Sequence, residues 1–118
     1  MNPDGAFGLS PATLEKIRRT LARHPTVHHA VIYGSRAKGD YKPGSDIDLT
    51  LHATPGAQLD YRELSHIFDE IDELLLPYTV DLSVFDQLDN PSLREHIERV
   101  GKVFYERGMG LELGEDGV

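Results

Sequence analysis

Gly34-Ser35-Arg36-Ala37-Lys38-Gly39-Asp40-Tyr41-Lys42-Pro43-Gly44-Ser45-Asp46-Ile47-Asp48-Leu49 sets a glycine-serine turn ahead of two aspartates separated by one residue. Alternate side chains of a strand leave on the same face, so Asp46 and Asp48 bring two like charges together, which a cation between them relieves. Oxygen donors of high charge suit Mg²⁺ or Mn²⁺ rather than a soft metal. Gly34 allows the backbone to approach a phosphate closely, and Ser35, opening a helical turn, offers N–H groups and a hydroxyl to phosphate oxygens. Arg36, Lys38 and Lys42 share the loop and can neutralise triphosphate charge, although such cations are often only solvated. Ser45 joins Arg36 and Lys38 among the candidate nucleotide contacts.

The flanking segments supply a frame for this loop. Val27 to Tyr33 is β-branched and aromatic enough for a strand that runs into Gly34. From Asp46 to His52 the residues alternate, with Ile47, Leu49 and Leu51 on one side and Asp46, Asp48, Thr50 and His52 on the other. Thr79 to Phe85 reads as a third strand, and Asp81 interrupts its apolar run between Val80 and Leu82. If these two strands are neighbours, Asp46, Asp48 and Asp81 converge on one open face while their apolar partners pack beneath helices.

Ser10 as N-cap, Pro11 at the first helical position and Leu14, Ile17 and Leu21 at helical spacing predict a helix ending near His24-Pro25. Tyr61 to Leu75 predicts a second helix, stopped before Pro77, whose stripe of Leu64, Ile67, Phe68, Ile71 and Leu75 is expected in the core. A short helix from Pro91 to about Val100 and a brief strand at Val103 to Tyr105 complete an α/β chain.

A chain of 118 residues suits one domain. The expected body is 9–105, between a flexible N-terminus at 1–8 and a flexible acidic tail at 106–118. The absence of cysteine excludes thiolate ligands and cysteine nucleophiles, which leaves the chemistry to oxygen, nitrogen or bound metal. A net charge of -8 argues against direct nucleic-acid binding, whose phosphates require clustered Lys and Arg. No apolar run approaches a membrane span or a signal peptide, so the expected location is cytoplasmic. The six histidines carry no trusted ligand spacing: His28 and His29 are expected to point apart on their strand, and His52 to be a polar surface residue. Tyr33 is expected to serve packing.

The glycine-serine turn, the ten-residue gap to Asp-x-Asp and the later strand aspartate resemble the signature of the polymerase β-like nucleotidyltransferase superfamily, in particular its minimal nucleotidyltransferase (MNT) group. The resemblance covers most of 9–105. It implies a small mixed β-sheet flanked by helices, with the carboxylates on the exposed face. It also implies that Gly34 and Ser35 hold the β- and γ-phosphates of an NTP, ATP above all. Asp46 and Asp48 would bind two Mg²⁺ ions, and Asp81 would bind the catalytic ion and help to deprotonate the attacking hydroxyl. The group's short members lack an acceptor domain, and many are antitoxins to a HEPN-domain ribonuclease, some transferring AMP to a toxin tyrosine. The expectation is therefore a protein adenylyltransferase with a HEPN toxin partner; homodimer and hetero-oligomer both stay open. The rival readings are a non-catalytic antitoxin acting by occlusion and an antibiotic-modifying transferase.

Overall fold

The computed structural model describes residues 6–109. Four strands, β1 (Val27–Tyr33), β2 (Ile47–Ala53), β3 (Val80–Val84) and β4 (Lys102–Glu106), form one sheet in the order β3-β2-β1-β4. The β1/β2 and β1/β4 pairs are antiparallel and β2/β3 is parallel, so the sheet is mixed. The helices are α1 (Pro11–Ala22), the four-residue α2 (Ser35–Lys38), α3 (Tyr61–Asp72) and α4 (Pro91–Val100).

Local chemistry accounts for these elements. Ser10 Oγ accepts the Thr13 N–H at 3.1 Å, Asp60 accepts that of Glu63 at 2.9 Å, and Asn90 accepts those of Ser92 and Leu93, so the three longer helices each begin on a side-chain cap. A parallel β2/β3 pair needs a long connection, and α3 provides it. Leu14, Ile17 and Leu21 of α1 and Ile67 and Ile71 of α3 bury against Ala30, Ile32, Leu49, Leu51, Val84 and Phe104 on one sheet face. On the other face α4 lays Ile97 against Tyr33 and Phe85, forming a smaller apolar cluster.

Three expectations change. Helix α3 stops at Asp72 rather than Leu75, because the chain enters the left-handed region at Leu75, with φ 55°. Of its stripe, Phe68 (44% exposed) and Leu75 (87% exposed) stay outside the core. The packed body also extends past both expected limits: Phe7 and Met109 pack on the core, and Arg107 donates to Val27 O at 3.0 Å and His24 O at 2.7 Å. The rest of the two expected flexible ends, 1–5 and 110–118, lies outside the described residues.

The third change concerns the histidines. A bulge between Val27 and His29 sets two β1 residues against His52. His28 and His29 therefore do not point apart; their Nδ1 atoms lie 2.8 Å from each other. His29 stacks on His52 at 4.2 Å between centroids, and His52 stacks on Phe85 at 4.7 Å. Burial, foremost, and the neighbouring imidazoles push His29 and His52 below the ordinary histidine value, with Arg94 adding to the effect at His52. Glu106 beside His29 and Asp86 beside His52 oppose it. The folded state thus binds fewer protons than the unfolded chain just below pH about 6.5, so this stabilisation is whole above that pH and is lost as pH falls. Urea unfolding is expected to show a midpoint that drops between about pH 7 and 5, with a shallower drop in His52→Phe, which keeps the ring contact with Phe85.

Candidate active site

The expected phosphate turn and the expected carboxylates meet at the junction of β1, α2 and β2. Strand β1 ends at Tyr33, and Gly34 turns the chain with φ 75° and ψ -155° into α2. Gly39, with φ 90°, closes that turn, its N–H bonded to Ser35 O at 2.9 Å. A Cβ on Gly34 would stand 2.5 Å from Asp48 Oδ2. Glycine is required here twice over, for its backbone conformation and for the room it leaves to a carboxylate.

The register brings the acidic residues together. Tyr33 is opposite Asp48 across β1/β2, and Asp48 is opposite Asp81 across β2/β3. Asp46 lies one residue before β2. Asp48 is half-buried, whereas Asp46 and Asp81 are exposed. Burial, then the charge of Asp81, then that of Asp46 raise the Asp48 carboxyl above its usual range. Burial and the charges of Asp81 and Asp48 raise the Tyr33 phenol in turn, against a hydrogen bond with Ser83. The three aspartates thus share one electrostatic field on one end of the open face.

Among the described residues, no three carboxylate or imidazole groups are gathered into a ready-made cation cage. The donor set nevertheless fits a hard divalent ion: the groups are carboxylate oxygens, they repel one another, and burial together with that repulsion raises the most buried of them.

The loop cations divide. Arg36, expected to contact the nucleotide, is 2% exposed and bound to the protein itself. It donates from Nε and Nη2 to Ser45 O at 3.1 and 3.0 Å and from Nη1 to Phe7 O at 2.9 Å. Its guanidinium lies 5.2 Å from the Tyr41 ring centroid and 4.9 Å from that of Tyr78. Ser45, the other expected nucleotide contact, accepts the Lys42 N–H on its hydroxyl at 2.8 Å and closes the Lys42–Ser45 turn. These two residues shape the loop. Lys38 and Lys42 are exposed, and Lys38 Nζ is 3.7 Å from Asp40.

His52 belongs to the histidine stack and not to this site. Tyr33 is a neighbour that sequence reading assigned to packing alone; its place directly before Gly34 was the available signal. His96 of α4 meets it edge-on, 6.4 Å between centroids.

The family model described as polymerase beta, nucleotidyltransferase matches residues 15–109, which include Gly34, Ser35 and all three aspartates. The chain belongs to this family. Nucleotidyltransferases of this family typically use divalent metals. No curated protein sequence matches the chain. Solved structures of similar fold include a toxin-antitoxin with AMP-PNP, with a TM-score of 0.59 and 20% identity over 90% of this chain and 77% of that one. Another is a tri-AMPylated Shewanella oneidensis HEPN toxin in complex with an MNT antitoxin, with a TM-score of 0.60 and 19% identity over 82% of this chain and 72% of that one. A third is the toxin-antitoxin MntA-HepT, at 0.59 and 19% over 82% and 73%. These likenesses establish the polymerase β-like fold. No helix among the described residues is long and apolar enough to cross a membrane.

Gly34→Ala is expected to lower stability by about 1–3 kcal/mol from backbone conformation alone, and further through displacement of Asp48, as urea unfolding would measure. Arg36→Ala is expected to cost about 2–4 kcal/mol, because buried carbonyls lose their donors. Lys38→Ala and Lys42→Ala are expected to stay within about 0.5 kcal/mol.

Proposed function

We propose that this chain transfers the nucleoside monophosphate of an NTP, AMP from ATP, to a hydroxyl of a HEPN-domain partner protein and acts as its antitoxin in the cytoplasm. The observation that carries the reading is the placement of Asp48 against Asp81 across β2/β3, directly under the Gly34 turn.

Asp46, Asp48 and Asp81 would hold two Mg²⁺ ions. When bound, such a pair lowers the pKa of an attacking hydroxyl and neutralises the departing pyrophosphate. Gly34 lets the backbone come close to the phosphate tail, and Ser35 presents its N–H and hydroxyl to the β- and γ-oxygens. Lys38 and Lys42, exposed on the same loop, add positive charge for the tail. In the transfer, the acceptor oxygen bonds to the α-phosphorus as the bond to pyrophosphate breaks, and Asp81 takes the hydroxyl proton. No covalent bond to the protein forms.

The partner assignment is supported by the fold neighbours, which include a tri-AMPylated HEPN toxin in complex with an MNT antitoxin. The test is incubation of the chain with a HEPN-domain protein, Mg²⁺ and α-labelled ATP. Label is expected on the partner and is expected to vanish with Asp46→Ala plus Asp48→Ala. Protection from the toxin that persists in that variant, without label from any NTP, would make the chain a binding module instead.

A further inference from the structure

Tyr33 stands on β1 and Ser83 on β3, with β2 between them. Strands two apart in a sheet are separated by roughly 9–10 Å, so the hydrogen bond that joins the two hydroxyls requires the Tyr33 side chain to lie across β2. The register fixes where it crosses. Tyr33 is opposite Asp48 and Ser83 is opposite Thr50, so the ring passes between Asp48 and Thr50, on the face that Asp48 and Asp81 share. Ile97 and Phe85 pack on it there, and it is 8% exposed.

The phenol is the outer end of a chain of three hydroxyls. Ser83 Oγ and Thr50 Oγ1 share a hydrogen bond at 2.9 Å. Thr50 is 0% exposed, and its hydroxyl has no other partner among the described residues. Three hydroxyls bring three protons, each free to rotate toward a partner, and the two bonds of the chain use two of them. The third has to leave at one end. At the Thr50 end it meets neither water nor an acceptor, which is a costly state for a buried donor. The Tyr33 end adjoins two carboxylates. The chain therefore runs from Thr50 through Ser83 to Tyr33 and releases its last O–H toward the anionic end of the face. Burial and the charges of Asp81 and Asp48 raise the phenol above its usual value, so it keeps that proton.

The crossing also has a mechanical consequence. Strand β3 is an edge strand paired only with β2, and it carries Asp81 directly opposite Asp48, where like charges push the two apart. A side chain that starts on β1 and ends on β3 opposes that separation.

We infer that Tyr33 is a positioning residue: braced on Ser83 and Thr50, it ties the edge strand β3 to the sheet across Asp48 and directs its O–H at the carboxylates that would share a divalent ion. The inference rests on the functional reading above. Its test measures Mn²⁺ binding to the full chain with AMP-PNP present, by paramagnetic resonance of the free ion, alongside transfer to the HEPN-domain protein. Groups that back metal ligands typically contribute about 10–100-fold in metal affinity or activity. Tyr33→Phe, which keeps the ring, is expected to weaken Mn²⁺ binding and to lower kcat on the order of tenfold each. The KM for the partner is expected to stay unchanged, in a chain that urea titration shows to be folded. Ser83→Ala is expected to act in the same direction and to add little to Tyr33→Phe, because both break one chain. A Tyr33→Phe chain that binds Mn²⁺ as the wild type does overturns the brace and leaves the transfer reading standing. Fully additive losses in the double variant overturn the shared chain. A wild-type chain that binds Mn²⁺ about tenfold more tightly than Tyr33→Phe, yet labels no protein, supports the brace and overturns the transfer reading. A wild-type chain that binds no Mn²⁺ overturns both.

Discussion

Contact between the Gly34 backbone and the Asp48 carboxylate is the constraint around which this small domain is arranged. The turn after β1 has to pass over the first residues of β2 within a distance that excludes even a methyl group. That closeness holds only if β1 and β2 are antiparallel neighbours in the observed register, with Tyr33 opposite Asp48. Once β2 is placed, the parallel pairing of β3 sets Asp81 beside Asp48, and α3 must bridge the two strands. The strand order and the acidic cluster are thus consequences of one geometric demand. The same demand leaves a buried-side carboxylate among like charges, at a cost that a cation offsets.

Arg36 keeps the loop in a shape that meets this demand. Its guanidinium ties the loop's far end at Ser45 to the N-terminal turn at Phe7 and lies against two tyrosines. A lysine cannot make this set of planar donations, so arginine is chosen here for its fork and not for its charge. The consequence is that the loop proposed to hold phosphate offers fewer free cations than its composition suggests. On a chain with a net charge of -8, the proposed triphosphate site would then depend on backbone dipoles, Lys38, Lys42 and metal.

Where alternation and capping were strong, the fold was legible. The limits of β1 and α4, the opposite faces of β2 and the join of Gly34 to Asp48 all follow from residue types at regular spacing. Three features were not legible from residue type and spacing. Arg36 and Ser45 look like phosphate contacts until the carbonyls that engage the one and the turn that engages the other are seen. His28 and His29 obey strand parity until a bulge, invisible in composition, puts them on one side. Leu75 completes a helical stripe by spacing, yet the helix ends at Asp72 in a tighter turn closed by Leu74 and Leu75, and no residue before Pro77 signals it.

The distribution of covered surface bears on the proposed transfer to a partner protein. Helices α1 and α3 are consumed in burying one sheet face, and α4 covers part of the other over Tyr33 and Phe85. The described chain has no further helix to wall off a pocket for an acceptor beside Asp46, Asp48 and Asp81. An acceptor hydroxyl must still be held within reach of the α-phosphorus, since positioning accounts for much of the catalysis in phosphoryl transfer. If the open face holds metal and phosphate as proposed, the acceptor's own shape would contribute to that positioning. A protein acceptor can bring a docking surface with it, and on the proposed function that surface would supply the positioning.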